Sequence, residues 1–167
     1  MNKLFLFAVL CIGVANSELA ESEYGTELLK LAKETHDKCI EQTGVTQAAM
    51  NEVKQGKFDD DEKMKEYITC LWVQGKGLNE KFELNTELIR NVLPEKIKDV
   101  ELKVMMECHD EIQAKAGADP RFVDKTYSLA KCVYNKKPEV SNFGVFIHFA
   151  NKAFTTIFSF NANIIIK

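Results

Sequence analysis

Residues 59–77, DDDEKMKEYITCLWVQGKG, contain the features that decide the fold. The three aspartates can cap a helix and place negative charge at its first turn. Apolar side chains then recur at the spacing of one helical face, and two glycines end the pattern. That face carries Met64, Tyr67, Ile68, Leu71 and Trp72. Cys70 belongs to the same segment, so we expect a disulfide to hold this helix against a second element.

Four cysteines are spread widely along the chain: Cys39, Cys70, Cys108 and Cys132. Each lies in a segment with helical periodicity. The separations of 30, 37 and 23 intervening residues are too wide for the paired short spacings of a zinc site. An even number of cysteines in a short exported chain predicts disulfides. Three pairings are possible, and joining neighbouring segments favours Cys39–Cys70 and Cys108–Cys132.

The N-terminal segment has the pattern of a secretory signal peptide. Lys3 gives it a basic start, and the next 11 residues form an apolar run that is too short to span a bilayer. Ala15 and Ser17 are small residues at the positions that a signal peptidase reads. We expect cleavage after Ser17, so that residues 1–17 are a signal peptide, Cys11 is removed and the protein is secreted. A buried N-terminal helix is the alternative.

The segments up to Pro138 have the periodicity of short amphipathic helices. Further helix starts are predicted at Thr46, at Thr86 and at Asp119-Pro120, where residues typical of helix N-termini precede apolar periodicity. No alternating apolar run bounded by a hairpin signal occurs before residue 140. We therefore predict an all-α domain of six short helices with two disulfides.

Charge and motifs argue against several classes of function. The 167-residue chain has 22 Lys and Arg against 25 Asp and Glu, and no basic stripe that indicates nucleic acid. Phosphate-binding loops, His-Glu-x-x-His and Gly-x-Ser-x-Gly are absent. Cys108, His109 and Asp110 are of catalytic types, but neighbours on a helix point about 100° apart. We therefore expect no enzyme, no cofactor and no metal.

The cysteine pattern resembles that of the insect odorant-binding proteins. That family typically has six cysteines on six helices, with three residues between the second and third and eight between the fifth and sixth. Glu66 and Val123 occupy the second and fifth positions here, so the chain resembles the Minus-C subclass, which keeps two of three bridges. Residues 70–85 are similar to the end of the family's third helix: Cys-Leu-Trp-Val, then Gly-Leu-Asn and Phe-Glu-Leu-Asn. The resemblance covers roughly residues 20–140, within a helical domain that we place at residues 18–140.

The resemblance implies the same two bridges and a helical domain around a hydrophobic cavity. It implies a secreted, non-catalytic carrier of small hydrophobic molecules, such as odorants, pheromones or other lipophiles. The absent bridge between the third and sixth helices implies a more adaptable cavity. An olfactory receptor or a membrane surface is a further expected partner, and the expected state is a monomer or weak homodimer. Inward-facing apolar residues are the candidate ligand-binding set: Met64, Ile68, Leu71, Trp72, Leu84, Leu88, Val92, Val104, Met105, Phe122 and Tyr127.

Polar residues on the same helices suggest two further roles. Four hydroxyls are candidates for a hydrogen bond to an alcohol, aldehyde or ester: Tyr67, Tyr127, Tyr134 and Thr126. His36 and His109 lie close to cysteines, and histidine titrates in the range where acid loosens some members of the family. The simpler interpretations are hydroxyls with ordinary internal partners and exposed histidines without a role.

Residues 141–167 depart from the family pattern, which ends near Val140. They hold six of the eleven phenylalanines, two lysines and no acidic residue. The segment could fold back over the cavity, bind a membrane or partner through its apolar surface, or be an artefact such as translated intron, which its composition favours. An alternative function follows: a secreted interaction protein whose cavity is closed by its own tail and which acts on a receptor or membrane.

Overall fold

The structure, a computed structural model, describes residues 25–115 and 120–137. Those residues form six helices, which confirms the predicted all-α fold: α1 (Thr26–Thr43), α2 (Gln47–Lys54), α3 (Glu62–Gln74), α4 (Thr86–Val92), α5 (Lys98–Lys115) and α6 (Phe122–Lys136). An isolated antiparallel bridge joins Leu78 to Leu84 in the connection between α3 and α4. The predicted signal peptide, 1–17, and the apolar tail, 141–167, lie outside the described residues.

Side-chain caps fix the start of two helices as the sequence predicts. The hydroxyl of Thr46 accepts a hydrogen bond from a backbone N–H in the first turn of α2, at 3.2 Å. The carboxylate of Asp61 does the same for α3, also at 3.2 Å. Gly44 ends α1 in the left-handed conformation, with φ of 61°. These contacts satisfy backbone groups that a helix end leaves without intrahelical partners.

Two other predicted helix starts are corrected by the structure. Asn85, and not Thr86, caps α4, because the Asn85 side chain accepts the backbone N–H three residues later. Pro120 precedes α6 instead of opening it. The reason is that Arg121 has an extended backbone, with ψ of 144°, so the helix begins at Phe122.

The two disulfides connect helices that also pack against each other. Cys39–Cys70 joins α1 to α3, and Cys108–Cys132 joins α5 to α6, with Cα–Cα distances of 5.7 and 5.8 Å. These are the bridges that the family resemblance implies. Each closes a loop whose lost entropy in the unfolded chain stabilises the fold by about 3–4 kcal/mol. Helices α3 and α6 pack together as well, without a disulfide between them.

Buried apolar side chains form two clusters. The first cluster lies between α1, α2, α3 and α6 and contains Cys39, Val45, Met50, Val53, Met64, Tyr67, Ile68, Leu71, Tyr127 and Ala130. The second cluster lies between α4, α5, α6 and the loop before α4, and contains Leu78, Phe82, Ile89, Leu93, Leu102, Val104, Met105, Cys108, Leu129 and Val133. Trp72 packs against both clusters. The boundary between the clusters is therefore where Trp72 lies.

Candidate functional site

A cavity lies at the boundary between the two clusters. Its volume is about 70 Å³. Its wall is formed by Leu28, Leu31, Leu71, Trp72, Gly75, Gly77, Leu88, Ile89, Val92, Leu93, Met105, Ala130 and Val133. None of these described wall residues has a charged, hydroxyl or amide side chain. Such a concave, apolar space is typical of sites for small hydrophobic ligands.

Helices from both halves of the chain contribute to the wall. The half-buried wall residues form its rim: Leu31, Trp72, Gly75, Leu88 and Val92. The remaining wall residues are buried and form its interior. Because α1 and α3 are tied to each other, and α5 to α6, the cavity sits between two disulfide-linked helix pairs.

The indole of Trp72 is held on the wall by the loop that follows α3. A Cβ atom at Gly77 would lie 2.8 Å from Cε3 of Trp72, which is shorter than the distances that Cβ atoms keep from other heavy atoms in proteins. The backbone N–H of Gly77 also donates to the Trp72 carbonyl oxygen, at 2.9 Å. Glycine at this position therefore lets the loop pass directly against the indole ring.

The structure places five of the eleven predicted ligand-binding residues on the wall: Leu71, Trp72, Leu88, Val92 and Met105. It places the others in the packing around the cavity. Met64, Ile68 and Tyr127 belong to the first cluster and Val104 to the second, while Leu84 and Phe122 pack against the second cluster. The role of the predicted set in ligand binding stays a prediction.

The remaining wall residues were not in the predicted set: Leu28, Leu31, Gly75, Gly77, Ile89, Leu93, Ala130 and Val133. Most of them lie on apolar helical stripes, which is the sequence pattern that predicts an inward-facing residue. Periodicity shows that such a residue faces inward, but not whether it meets another side chain or an empty space. The two glycines carry no apolar signal.

The hydroxyl of Tyr67 is used inside the core and is not on the wall. Its oxygen lies 2.6 Å from Nδ1 of His36, and the side chains of both residues are buried. Burial lowers the pKa of His36 and raises that of Tyr67, so both are neutral near pH 7. The contact is therefore a hydrogen bond between two neutral side chains.

The other three predicted hydroxyls also have internal partners and lie away from the wall. Tyr127 and Tyr134 donate at 2.6 and 3.4 Å, and Thr126 donates at 2.9 Å. Their acceptors are the backbone carbonyl oxygens of Asp59, Lys54 and Phe122, respectively. The structure thus gives these hydroxyls structural contacts.

His109 supports the loop between α3 and α4. Its Nε2 lies 2.7 Å from the carbonyl oxygen of Phe82, and its ring stacks on the Phe82 ring with centroids 5.1 Å apart. Phe82 is fully buried and has a φ of 64°, which is costly for a bulky residue. The contact with His109 helps to hold this conformation.

An ionic cluster joins α3 to the start of α6. Arg121 contacts Glu62 at 2.9 Å and Asp124 at 2.8 Å, and Lys65 contacts Asp124 at 3.1 Å. Lys65 also pairs with Asp60. The hydrogen bonds from Arg121, and then those from Lys65, lower the pKa of Glu62 and of Asp124.

This ionic cluster lies beside the positions where the resemblance places the absent third bridge. Lys65 directly precedes Glu66, and Asp124 directly follows Val123. Helices α3 and α6 are therefore linked by ion pairs close to where relatives of the six-cysteine type have a covalent bond. Exposed ion pairs are weaker than a disulfide and are screened by salt.

Two further properties concern the described residues alone. Within 25–115 and 120–137, no three or more His, Cys, Asp or Glu side chains are grouped so as to hold a metal ion. None of the helices described there has the length and apolar character needed to cross a membrane.

Comparison with known proteins gives related sequences and folds. The PBP/GOBP family matches residues 21–136. The B2 protein of Tenebrio molitor is 22% identical over 112 residues, covering 67% of this chain and 84% of that protein. An odorant binding protein of Locusta migratoria has the same fold, with a TM-score of 0.60 and 22% identity, covering 76% of this chain and 94% of that one.

A second solved structure comes from a mosquito. Odorant Binding Protein 7 from Anopheles gambiae, in complex with an azo compound, matches with a TM-score of 0.54 and 20% identity, over 75% of this chain and 95% of that one. It has four disulfide bridges, against the two within the described residues here. The family match, the six helices and the two bridges lead to one conclusion: this chain belongs to the PBP/GOBP family of insect odorant-binding proteins, whose members are secreted, non-catalytic binding proteins.

Proposed function

We propose that this protein binds small hydrophobic molecules in the cavity between its two clusters and carries them through an aqueous secretion. The molecules would be odorants, pheromones or other lipophiles. The observation that carries the proposal is the wall itself, on which every described side chain is apolar. Membership of a family of binding proteins supports the same function.

The driving force would be removal of apolar ligand surface from water. Burial stabilises a complex by roughly 25 cal/mol for each Å² of apolar surface. Met105 on the wall has a flexible, polarisable side chain that adapts to ligands of different shape. Trp72 adds a large aromatic face beside it. We retain these two, with Leu71, Leu88 and Val92, as the ligand-binding residues of the proposal.

The proposal includes secretion after removal of residues 1–17 and action as a monomer or weak homodimer. A monomeric carrier is supported by a wall that one chain builds alone. Among the described residues, the large apolar side chains that are exposed are Val100 and Met106. They offer little of the apolar surface that a permanent interface buries. Delivery to an olfactory receptor or a membrane surface is the further part of the proposal.

Ligand binding can be followed through Trp72, the single tryptophan of the chain. The oxidised, secreted protein would be titrated with the apolar probe N-phenyl-1-naphthylamine, and volatile lipophiles would then be added to displace it. Saturable uptake with a change in Trp72 fluorescence is the expected result, because Trp72 lies on the wall. No saturable uptake by the folded, helical protein would overturn the carrier function and favour the interaction protein whose tail closes the cavity.

A pair of variants on α6 tests whether the cavity is the site. Ala130 is buried on the wall, so Ala130→Phe places a ring in the cavity. Ser128 is exposed on the same helix, so Ser128→Phe is the matched control. We expect Ala130→Phe to lower probe affinity at least tenfold and Ser128→Phe to leave it unchanged. Circular dichroism would verify that both are folded; equal affinities would place the probe elsewhere.

A further inference from the structure

We propose that the cavity selects compact hydrocarbons over alcohols, ketones and other ligands with a polar head. This inference rests on the proposed carrier function and names the ligand class of the same site. The indole N–H of Trp72 is the one strong hydrogen-bonding group among the described side chains of the wall. A ligand hydroxyl or carbonyl that enters the cavity loses its hydrogen bonds to water and finds no side-chain replacement apart from that single donor.

Three backbone carbonyl groups of the wall already accept hydrogen bonds from the chain itself. The carbonyl oxygen of Trp72 already accepts from Gly77 and Leu78, at 2.9 and 3.2 Å. The carbonyl of Leu71 accepts from Gly75 at 2.9 Å, and that of Ile89 accepts from Leu93 at 3.1 Å. These three carbonyl groups are therefore already used at the C-terminal ends of α3 and α4.

Polar groups near the cavity are engaged elsewhere. The hydroxyls of Tyr67, Tyr127, Tyr134 and Thr126 have the internal partners described above and are not part of the wall. Glu101 is buried one helical turn before Met105, but it is not a wall residue either. A polar ligand head would have to displace one of these contacts in order to bond to a hydroxyl group.

The size of the cavity favours a compact ligand. Its volume of about 70 Å³ has room for roughly five to seven water molecules, at about 10–15 Å³ each. A cyclic terpene hydrocarbon is compact and matches the apolar wall.

A set of ligands with one carbon skeleton tests the inference. Limonene, α-terpineol and carvone share a ten-carbon skeleton and differ in carrying no polar group, a hydroxyl or a ketone. Dissociation constants would come from displacement of N-phenyl-1-naphthylamine and from Trp72 fluorescence of the full secreted chain. We expect limonene to bind at least tenfold more tightly than either oxygenated ligand, which is about 1.4 kcal/mol.

The possible outcomes separate this inference from the proposed function. Equal or tighter binding of α-terpineol or carvone would overturn the hydrocarbon preference and leave the carrier function standing. No binding of the probe or of any of the three ligands would overturn both.

A polar substitution on the rim gives an independent test of the cause. Leu88 is a half-buried wall residue, so Leu88→Gln adds an amide without burying it deeply. We expect this variant to reduce the preference for limonene over α-terpineol at least threefold. Glu87→Gln, at the adjacent exposed position, is the matched control and should keep the wild-type ratio. An unchanged ratio in Leu88→Gln would show that the wall does not set the preference.

Discussion

The hydroxyl oxygen of Tyr67 lies 2.6 Å from Nδ1 of His36, and this hydrogen bond makes a buried polar link between α1 and α3. The two rings also meet edge to face, with centroids 5.9 Å apart. Protonation of His36 would place a positive charge in this buried position, which is costly. Stability of the first cluster should therefore depend on the protonation of His36.

The free energy of unfolding should fall as the pH decreases below about 6.5. Burial is the largest of the causes that lower the pKa of folded His36 from 6.5. Asp37 acts in the opposite direction, and Lys33 and Lys54 lower the pKa further. Between that lowered pKa and 6.5 the unfolded chain binds a proton that the folded chain does not, so acid favours unfolding. Urea unfolding at pH 7.5, 6.5 and 5.5 would measure the loss, and His36→Gln should show a smaller one.

The partner variant Tyr67→Phe isolates the hydrogen bond from the packing. It keeps the ring and leaves Nδ1 of His36 without its hydrogen-bond partner, which should cost about 1–3 kcal/mol at pH 7.5. Identical pH dependence in the wild type and His36→Gln would show that this pair is not the origin of the acid sensitivity.

The ionic cluster between α3 and α6 should make the protein sensitive to salt and to strong acid. The lowered pKa values of Glu62 and Asp124 mean that their contribution to stability is present above about pH 4.5 and is lost as the pH falls through those values. We expect Lys65→Met to lower the melting temperature and weaken its dependence on NaCl concentration. Lys63→Met, at an exposed position of the same helix, is the control. Equal salt dependence in all three proteins would contradict the prediction.

A third disulfide should form between residues 66 and 123. Glu66 is exposed and Val123 half-buried, on helices that pack together. The loop-entropy model gives about 4 kcal/mol for such a bridge, before strain is subtracted. We expect Glu66→Cys with Val123→Cys to raise the melting temperature and, by holding α3 to α6, to narrow the range of ligands bound.

Thiol counting by mass spectrometry would verify that bridge. The double serine variant at the same two positions separates the effect of the bond from that of the substitutions. If the two added cysteines remain reduced under oxidising conditions, the assignment of positions 66 and 123 is wrong.

Gly77→Ala should change the cavity while leaving the fold intact. The new Cβ would lie 2.8 Å from the Trp72 ring, so the indole must move on the wall. We expect a shift in Trp72 emission, weaker probe binding and a stability loss of about 1–3 kcal/mol, as for overpacking elsewhere. Gly25→Ala meets nothing within 4 Å and is the matched control. Unchanged Trp72 emission and affinity in Gly77→Ala would mean that the ring is not fixed by this contact.

Local signals in the sequence were sufficient for most of the fold. The caps at Thr46 and Asp61 were readable because short polar side chains precede apolar stripes. Asn85 was missed as a cap because Asn and Thr are adjacent there and either can serve. The cysteines indicated which helices pair, because each bridge joins two cysteines that are consecutive in the sequence.

The cavity was predicted only in part, for a physical reason. Ile68 and Leu71 lie on one stripe of α3, yet Ile68 is packed in the first cluster and Leu71 also faces the cavity. Whether such a residue faces the cavity depends on where α4 and α6 approach α3. The periodicity of α3 alone carries no information about those positions. The burial of Lys65 was likewise hidden, because its partner Asp124 lies 59 positions away in the chain.

Neither of the two bridges connects the N-terminal half of the chain to the C-terminal half. Any peptide bond cut between residues 71 and 107 would leave a fragment holding Cys39–Cys70 and another holding Cys108–Cys132, with no bond between them. The cavity wall takes Leu28 from one fragment and Val133 from the other. In a protein cut in this way, a molecule bound in the cavity would contact both fragments. Ligand binding should therefore slow the dissociation of the two fragments.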